Sequence, residues 1–457
     1  MFETINTAVK TLSSFIWGPL LIILLLGTGI YFTIRLRFIQ IREFFHGLRI
    51  TFGFFENPKH KGDIKHFQAL STALSATVGT GNIAGVATAI ALGGPGAVLW
   101  MWLTGVFGMA LKYASCVLSM KYRVFAKDGT VAGGPMYYLE KGLKLKWLAV
   151  FFAVCTAITG TVIGNMVQSN SVADVLSTSF HVPHLVTGIV IALFVWLVIL
   201  GGIKRIAKVT QIMAPFMCIT YIAVALVIIF MNCEKILPSL QLIIQHAMNP
   251  TAATGGFAGA AVLFTIRMGV ARGMFSNEAG LGSAPIAHAA AKEDEPVREG
   301  LVAMMGPFID TIVICTLTAL VIIISGVWTS GLNGATLTAK AFDTSLPGRG
   351  DIIVAFGLIF FALSTIIAWS YYGNRCVYYL FGKKALIPYK WIYCLLIPLG
   401  AVVKLELIWN IADITNAFMA FPNLIGVLGL GGVVMSLTYK YDRRLKFAHK
   451  LHKKKWF

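Results

Sequence analysis

Two apolar stretches of this chain carry, near their middles, residues that an apolar stretch has little reason to hold. Residues 67–92 contain Gly79, Gly81 and Gly85 among Ser75, Thr77, Thr80 and Asn82. Residues 255–290 contain Gly269, Gly273, Gly280 and Gly282 beside Ser276, Asn277 and Glu278. Glycine weakens a helix interior through its backbone entropy. An interrupted helix frees N–H and C=O groups that must find partners. At membrane depth such backbone is tolerated only where it lines a cavity or is buried in protein. The freed groups are then ligands: amides for a carboxylate, carbonyls for an ammonium or a metal cation. Small-residue helix packing is the competing explanation, but packing glycines do not usually arrive with Asn, Glu, Ser and Thr in one window.

The elements that must position these residues are membrane helices. The chain has 457 residues, 57% hydrophobic and 12% charged, with mean hydropathy +0.78. A soluble domain carries roughly 25% charged residues, and its polar surface would be too small to cover this much apolar area. The same composition excludes disorder, collagen, coiled coil and a disulfide scaffold. The net charge of +19 fits cytoplasmic loops of a membrane protein. No aromatic-basic module accompanies it, so nucleic acid is not an expected partner. The basic tail from Lys440 to Lys455 follows an apolar run directly and reads as a juxtamembrane anchor on the lipid bilayer. Seven cysteines, none in CxxC spacing, read as small buried residues without disulfide or metal roles. The first apolar run, Phe15 to Phe32, is long enough to span and lacks a signal-peptide cleavage site.

A hydrocarbon core about 30 Å thick needs roughly 20 apolar residues per helix. Such runs fall at 14–34, 67–92, 95–120, 147–168, 184–202, 209–231, 255–290, 300–326, 351–381, 390–408 and 411–438, an all-α polytopic protein with eleven transmembrane helices. The run 390–408 is the least regular, because Lys404 and Glu406 crowd its end. With the N-terminus outside, the inner loops hold 29 Lys and Arg and the outer segments five, which orients the chain N-out and C-in. Setting the first run aside leaves ten, and the two interrupted runs are the first and sixth of these. Each opens a set of five, and because five is odd the second set is inverted. That is the pattern of an inverted-repeat secondary transporter. It divides the chain into an extra helix and basic loop (1–66), a first repeat (67–231), a second repeat (232–438) and the tail (439–457).

Ionisable residues at membrane depth are functional candidates by default. Here they are Glu278, Asp310, Arg267 and Arg272. Glu278 and Arg272 are close enough in sequence to pair. Asp310, about ten residues into its run, is placed to hydrogen-bond the unwound segment or to carry a proton. Lys112 and Arg375 lie near the ends of their runs, where snorkelling accounts for them. A membrane enzyme would need converging nucleophile, base or metal ligands, and HExxH, GxSxG and P-loop patterns are missing. A channel would need charge rings or repeated carbonyl loops. Neither pattern occurs.

Several segments carry a family resemblance. Gly93-Gly-Pro-Gly-Ala-Val-Leu-Trp-Met-Trp-Leu-Thr-Gly-Val-Phe-Gly108 resembles the signature of the sodium:alanine (alanine or glycine:cation) symporter family, with Leu99 in place of the usual Phe and Gly105 where Ser, Thr, Ala or Val is usual. Ser75–Gly85, Gly133–Tyr137, Arg272–Pro285 and Phe308–Thr311 are similar to it as well. The resemblance implies a LeuT-type five-plus-five core with two discontinuous helices, in the amino acid/polyamine/organocation superfamily. It further implies a small neutral amino acid as substrate, alanine or glycine, taken into the cell with Na⁺, or with H⁺ in some members, and no enzymatic cofactor. A glutamine-preferring or proton-coupled carrier of the same fold is the alternative, and the location is the cell membrane.

Given a zwitterion, its carboxylate wants amides at a half-helix N-terminus. Gly79, Thr80, Gly81 and Asn82, next to Thr77, offer them. By the resemblance the ammonium falls to Phe275, Ser276 and Asn277. Gln168 either closes the pocket or faces water at a helix end, and Phe275 and Trp369 are the aromatic candidates for lid and wall. For Na⁺, a hard ion that calls for oxygen, this fold implies Ser75 and Val78 from the first broken helix with Phe361, Ser364 and Thr365 from the eighth. The alternative for Ser364 and Thr365 is bonding back to their own helix.

Overall fold

A computed structural model describes residues 16, 19–57, 59–125, 130–248, 258–403 and 405–454. The beginning of the first expected span, the start of 255–290, Lys404 and the last basic residue Lys455 lie outside the described residues. The chain is mostly helical, and a helix or a bent helix pair lies at each of the eleven apolar runs. The helices that matter for the site are, in chain order and with two that lie between runs, α1 (Pro19–Arg35), α2 (His66–Thr77) with α3 (Val86–Gly93), α4 (Ala97–Tyr122), α5 (Lys146–Thr161) with α6 (Gln168–Phe180), α7 (His184–Ile199), α8 (Gly202–Met231), α9 (Ile236–Met248), α10 (Ala258–Asn277) with α11 (Ala284–His288), α12 (Pro296–Ala303) with α13 (Thr316–Ser325), α14 (Gly334–Ser345), α15 (Gly350–Phe381), α16 (Leu386–Val402), α17 (Leu405–Gly429) and α18 (Gly431–Lys454). A two-residue hairpin, β1 (Val124–Phe125) with β2 (Val131–Ala132), follows α4.

The first interruption is where the glycines place it. Helix α2 stops at Thr77, Val78 turns to an extended ψ of 94°, and residues 81–85 resume as a wide π-turn before α3. The two halves are bent by 52°. The second interruption is narrower than expected. Helix α10 runs unbroken through Gly269 and Gly273, and the chain breaks only across Glu278–Ser283, where Glu278, Gly280 and Gly282 adopt φ of 54°, 96° and 85°. The other two glycines are packing residues. A Cβ at Gly269 would lie 2.3 Å from the Ala97 carbonyl oxygen, and one at Gly273 would lie 2.2 Å from Thr104 Oγ1. They let α10 lie against α4, as small residues do between membrane helices.

Three further differences from the sequence reading have physical causes. The run 411–438 is no single straight helix: α17 and α18 meet at 57° near Gly429–Gly431. Helix α16 ends at Val402, before the charges at 404 and 406. Helices α9 and α14 fall between the expected spans. Both are short and amphipathic, so a search for long apolar runs passes over them.

The core centres on the two breaks, where α10 packs on α4 and on the turn at 81–85 while α15 packs on α2, and it is unusually polar for a membrane interior. Ser75, Thr80, Asn82, Lys112, Gln168, Ser276, Asn277, Glu278, Asp310, Thr311, Ser364 and Thr365 are all buried. Buried polar groups are mostly hydrogen-bonded, and among these only the Ser75 and Thr80 hydroxyls have no partner among the described residues. The partners of the rest define the site.

Candidate functional site

The break between α2 and α3 presents its freed amides to two side chains. Gly79 N–H donates to Asn82 Oδ1 at 2.9 Å, and Thr80 N–H donates to Gln168 Oε1 at 3.3 Å. Gln168 is therefore buried against the break and does not face water at a helix end. Its Nε2 donates to the Ile163 carbonyl, in the π-turn 162–167 that joins α5 to α6. Both amides suited to a carboxylate are thus met by amide oxygens, which are weaker acceptors than a carboxylate.

Directly beneath lies a cluster of oxygens. The Ser75 carbonyl accepts from Thr365 Oγ1 at 3.0 Å and Ser364 Oγ at 3.4 Å, and the Phe361 carbonyl accepts from both hydroxyls at 2.9 Å. Ser364 and Thr365 do bond back to their own helix, and they reach α2 as well. Val78, where α2 stops, is fully buried beside them. The oxygen cluster and the amide pair are neighbours: a Cβ at Gly79 would sit 2.7 Å from Thr365 Oγ1 and 3.3 Å from Gln168 Oε1. Thr77, in contrast, turns its hydroxyl to the Ala73 and Leu74 carbonyls of its own helix.

The second break faces the first. A Cβ at Gly81 would lie 3.1 Å from both Phe275 Cδ1 and Ser276 Cα. The Phe275 ring packs on Ile163 and Val167 of the π-turn. Ser276 Oγ donates to Asp310 Oδ2 at 2.9 Å, and Asn82 Nδ2 donates to Asp310 Oδ1 at 2.6 Å. Asn277 Nδ2 donates to Thr311 Oγ1, and its carbonyl accepts from Lys112 Nζ at 3.0 Å. Lys112 is 1% exposed. It does not snorkel, because Gly306 opposite leaves room for its amine. The end of α10 therefore already offers a backbone carbonyl to an amine, the kind of contact an amino-acid ammonium would make.

Glu278 and Arg272 do not pair with each other. Arg272 makes a two-pronged bond to Asp413 of α17, at 3.1 and 3.3 Å. Glu278 accepts from Ser283 Oγ at 2.5 Å and from Trp369 Nε1 at 2.9 Å. Trp369 stands against Gly164, where a Cβ would fall 2.2 Å from its own Cβ, so its ring is held between the π-turn and the second break. Spacing gave no sign of this bond, since the residues are 91 apart. Helix α14 adds another partner that apolar-run counting missed: Thr338 Oγ1 donates to the Ile83 carbonyl within the first π-turn.

At one end of the bundle the two broken helices are tied again. Glu299, fully buried, accepts from His66 Nδ1 and His288 Nδ1, each at 2.5 Å. Arg123 donates to the carbonyls of Lys61, Ala289, Ala291 and Glu293 at 3.1, 3.1, 2.8 and 2.5 Å, and Ile64 bridges Ala291 through the backbone. His66 opens α2 and His288 closes α11, so this clamp fastens the end of one broken helix to the end of the other.

Known proteins match this chain in sequence and in fold. The model of the sodium:alanine symporter family matches residues 2–455. The chain is 52% identical over 442 residues to the sodium/alanine symporter AgcS of Methanococcus maripaludis, covering 95% of this chain and 96% of that one. It is 51% identical over 451 residues to an uncharacterized transporter of Haemophilus influenzae, covering 98% of both. Among solved structures, MhsT in complex with L-phenylalanine superposes with a TM-score of 0.56 at 13% identity, over 83% of this chain and 99% of that one. The fold is thus the LeuT-type fold that the family resemblance implies, and the chain, a multi-pass membrane transporter and no enzyme, belongs to the sodium:alanine symporter family.

Proposed function

We propose that the protein is a Na⁺-coupled symporter that carries a small neutral amino acid, alanine or glycine, into the cell, with its N-terminus outside and its basic tail in the cytoplasm. The observation that carries this reading is the adjacency of two ligand sets at Gly79. On one side are the amides of Gly79 and Thr80. On the other are the oxygens of Ser75, Phe361, Ser364 and Thr365.

The mechanism follows from what each group must give up. A substrate carboxylate is a stronger acceptor than the Asn82 and Gln168 amides it would displace from Gly79 and Thr80. The displaced oxygens then become free to take the substrate ammonium. Phe275 stands 3.1 Å from where a Cβ at Gly81 would lie, so the two breaks approach closely at this point, which favours a small side chain on the substrate. Na⁺ would take the carbonyls of Ser75, Val78 and Phe361 and the hydroxyl oxygens of Ser364 and Thr365, whose protons must rotate aside. Each partner brings a charge the other complements across a water-poor gap. Binding of one therefore favours the other, which is the reciprocity that coupling requires.

The test is counterflow in proteoliposomes with labelled alanine, glycine and glutamine, with and without Na⁺. Saturable, Na⁺-dependent accumulation of alanine or glycine is the expected result. Accumulation of glutamine in preference to both, or uptake that ignores Na⁺ and follows an imposed pH gradient, would replace this reading.

A further inference from the structure

One buried carboxylate has no part in the scheme above and touches both of its halves. Asp310 sits in a π-helical stretch, residues 308–315, and is fully buried. Its Oδ1 receives Asn82 Nδ2 at 2.6 Å from the first break. Its Oδ2 receives Ser276 Oγ at 2.9 Å from the second break and Thr311 Oγ1 at 2.7 Å from its own helix. Thr311 Oγ1 in turn receives Asn277 Nδ2 at 3.0 Å. All three donors to the carboxylate are neutral, so here it organises hydrogen bonds and forms no salt bridge.

The geometry has a consequence for Asn82. A side-chain amide has a donating face and an accepting face. Because Asp310 accepts only, it selects the donating face, and the accepting Oδ1 must turn toward Gly79 N–H, where it lies at 2.9 Å. Without that acceptor the amide can turn over and point its NH₂ at a backbone N–H, two donors face to face. Ser276 is held in the same way, one residue from Phe275 and beside Gly81. One carboxylate thus sets the side chains that border the substrate from both breaks.

We infer that Asp310 is a positioning residue for the substrate site: by accepting from Asn82 and Ser276 at once, it sets which face each break presents to the amino acid and holds the two breaks in register. The inference rests on the function proposed above, and it concerns hydrogen-bond geometry, with no proton carried by Asp310.

The experiment compares Asp310→Ala, Asp310→Asn and Ser276→Ala with the parent in alanine uptake, each measured for KM, kcat and pH profile, with thermal stability in detergent as a control. The parent's own Na⁺-driven uptake tests the proposed function separately. Asp310→Ala is expected to raise the alanine KM by about tenfold or more, the loss of one or two buried hydrogen bonds. Asp310→Asn keeps an acceptor oxygen for Asn82 and is expected to recover most of that loss with an unchanged pH profile. Ser276→Ala is expected to give a smaller rise. A parental KM in Asp310→Ala would overturn the inference. Should Asp310→Ala fail to fold, Asp310→Asn decides alone: near-parental transport and pH profile support positioning. Loss of transport with a flattened pH profile in Asp310→Asn would overturn it in favour of a proton carrier.

Discussion

At the scale of single residues, the site depends on one missing side chain. Any Cβ at Gly79 must enter the gap between the Thr365 hydroxyl and the Gln168 amide, at 2.7 and 3.3 Å. Neither neighbour can retreat, since Thr365 is bonded to Ser75 and Phe361 and Gln168 to Ile163. Gly79→Ala is therefore expected to weaken alanine and Na⁺ together, each by about tenfold or more, with normal membrane insertion. Binding of labelled alanine across a Na⁺ series checks this, and parental affinity for both would remove Gly79 from the site. Phe275 is different, because its ring rests on Ile163 and Val167 and borders Gly81. Phe275→Ala opens a wall, so larger neutral amino acids should begin to compete with alanine. A steric boundary is worth only about 1–3 kcal/mol per group, so the change in the competition profile should be graded. An unchanged profile would make Phe275 packing alone. Glycine, serine and threonine positions of this kind were legible from type and spacing. The partners of Glu278, Arg272 and Lys112 were not, because each is chosen by a helix distant in sequence: α15, α17 and α10.

At the scale of elements, a break glycine and a packing glycine look alike in sequence. Gly269 and Gly273 sit in the same run as Gly280 and Gly282, yet only the latter pair adopts positive φ. What separates them is the close approach of α4, which belongs to tertiary packing. The clamp at the end carrying the basic tail was illegible for the same reason: His66, Arg123, His288 and Glu299 come from four segments. It makes a prediction about motion. Arg123 holds one carbonyl of the segment that leads into α2 and three of the segment that follows α11, so Arg123→Ala should let the start of α2 swing outward. With Cys233 removed, since it is the exposed cysteine among the described residues, a thiol introduced by Ala69→Cys should be labelled several-fold faster in the Arg123→Ala background. Equal rates would show that the clamp does not hold this end shut. The pH dependence has a definite sign. Burial pushes Glu293 up, but the His66 hydrogen bond, the Glu295 amide and the Arg298 charge outweigh it and hold the carboxyl below its ordinary 4.5. A depressed carboxyl stabilises above its unfolded value and loses that contribution as pH falls through its folded one. Burial works against a charged His66, but Glu299 and Glu293 outweigh it and raise its imidazole from 6.5 to about 10, so its contribution is lost as pH rises from 6.5 through about 10. Labelling should therefore be slowest between about 4.5 and 6.5, rising in acid below 4.5 and again toward pH 10.

At the scale of the whole molecule, transport requires that the two ligand sets act as one. The outline of the fold was readable from the chain alone: runs of membrane-spanning length, two of them interrupted in corresponding places. The ordering of the site was not, because Asn82, Gln168 and Asp310 acquire their orientation from three separate helices that close around the first break. In that closed arrangement the hydroxyl of Thr365 links α15 to the Ser75 carbonyl of α2, while the next residues of the same break carry the amides that the proposed function assigns to the substrate. Replacing the hydroxyl by a methyl group leaves a desolvated cation one oxygen short, and a buried charge without a full ligand set is costly. Thr365→Val should thus raise the Na⁺ concentration needed for half-maximal uptake by about tenfold or more. Because linkage is reciprocal, the alanine KM should rise at fixed Na⁺ and fall back as Na⁺ is increased. Alanine uptake by the variant and the parent, measured across a Na⁺ series at constant pH, reads both effects. A raised alanine KM that no concentration of Na⁺ restores would place Thr365 in the packing of the first break and outside the cation's path.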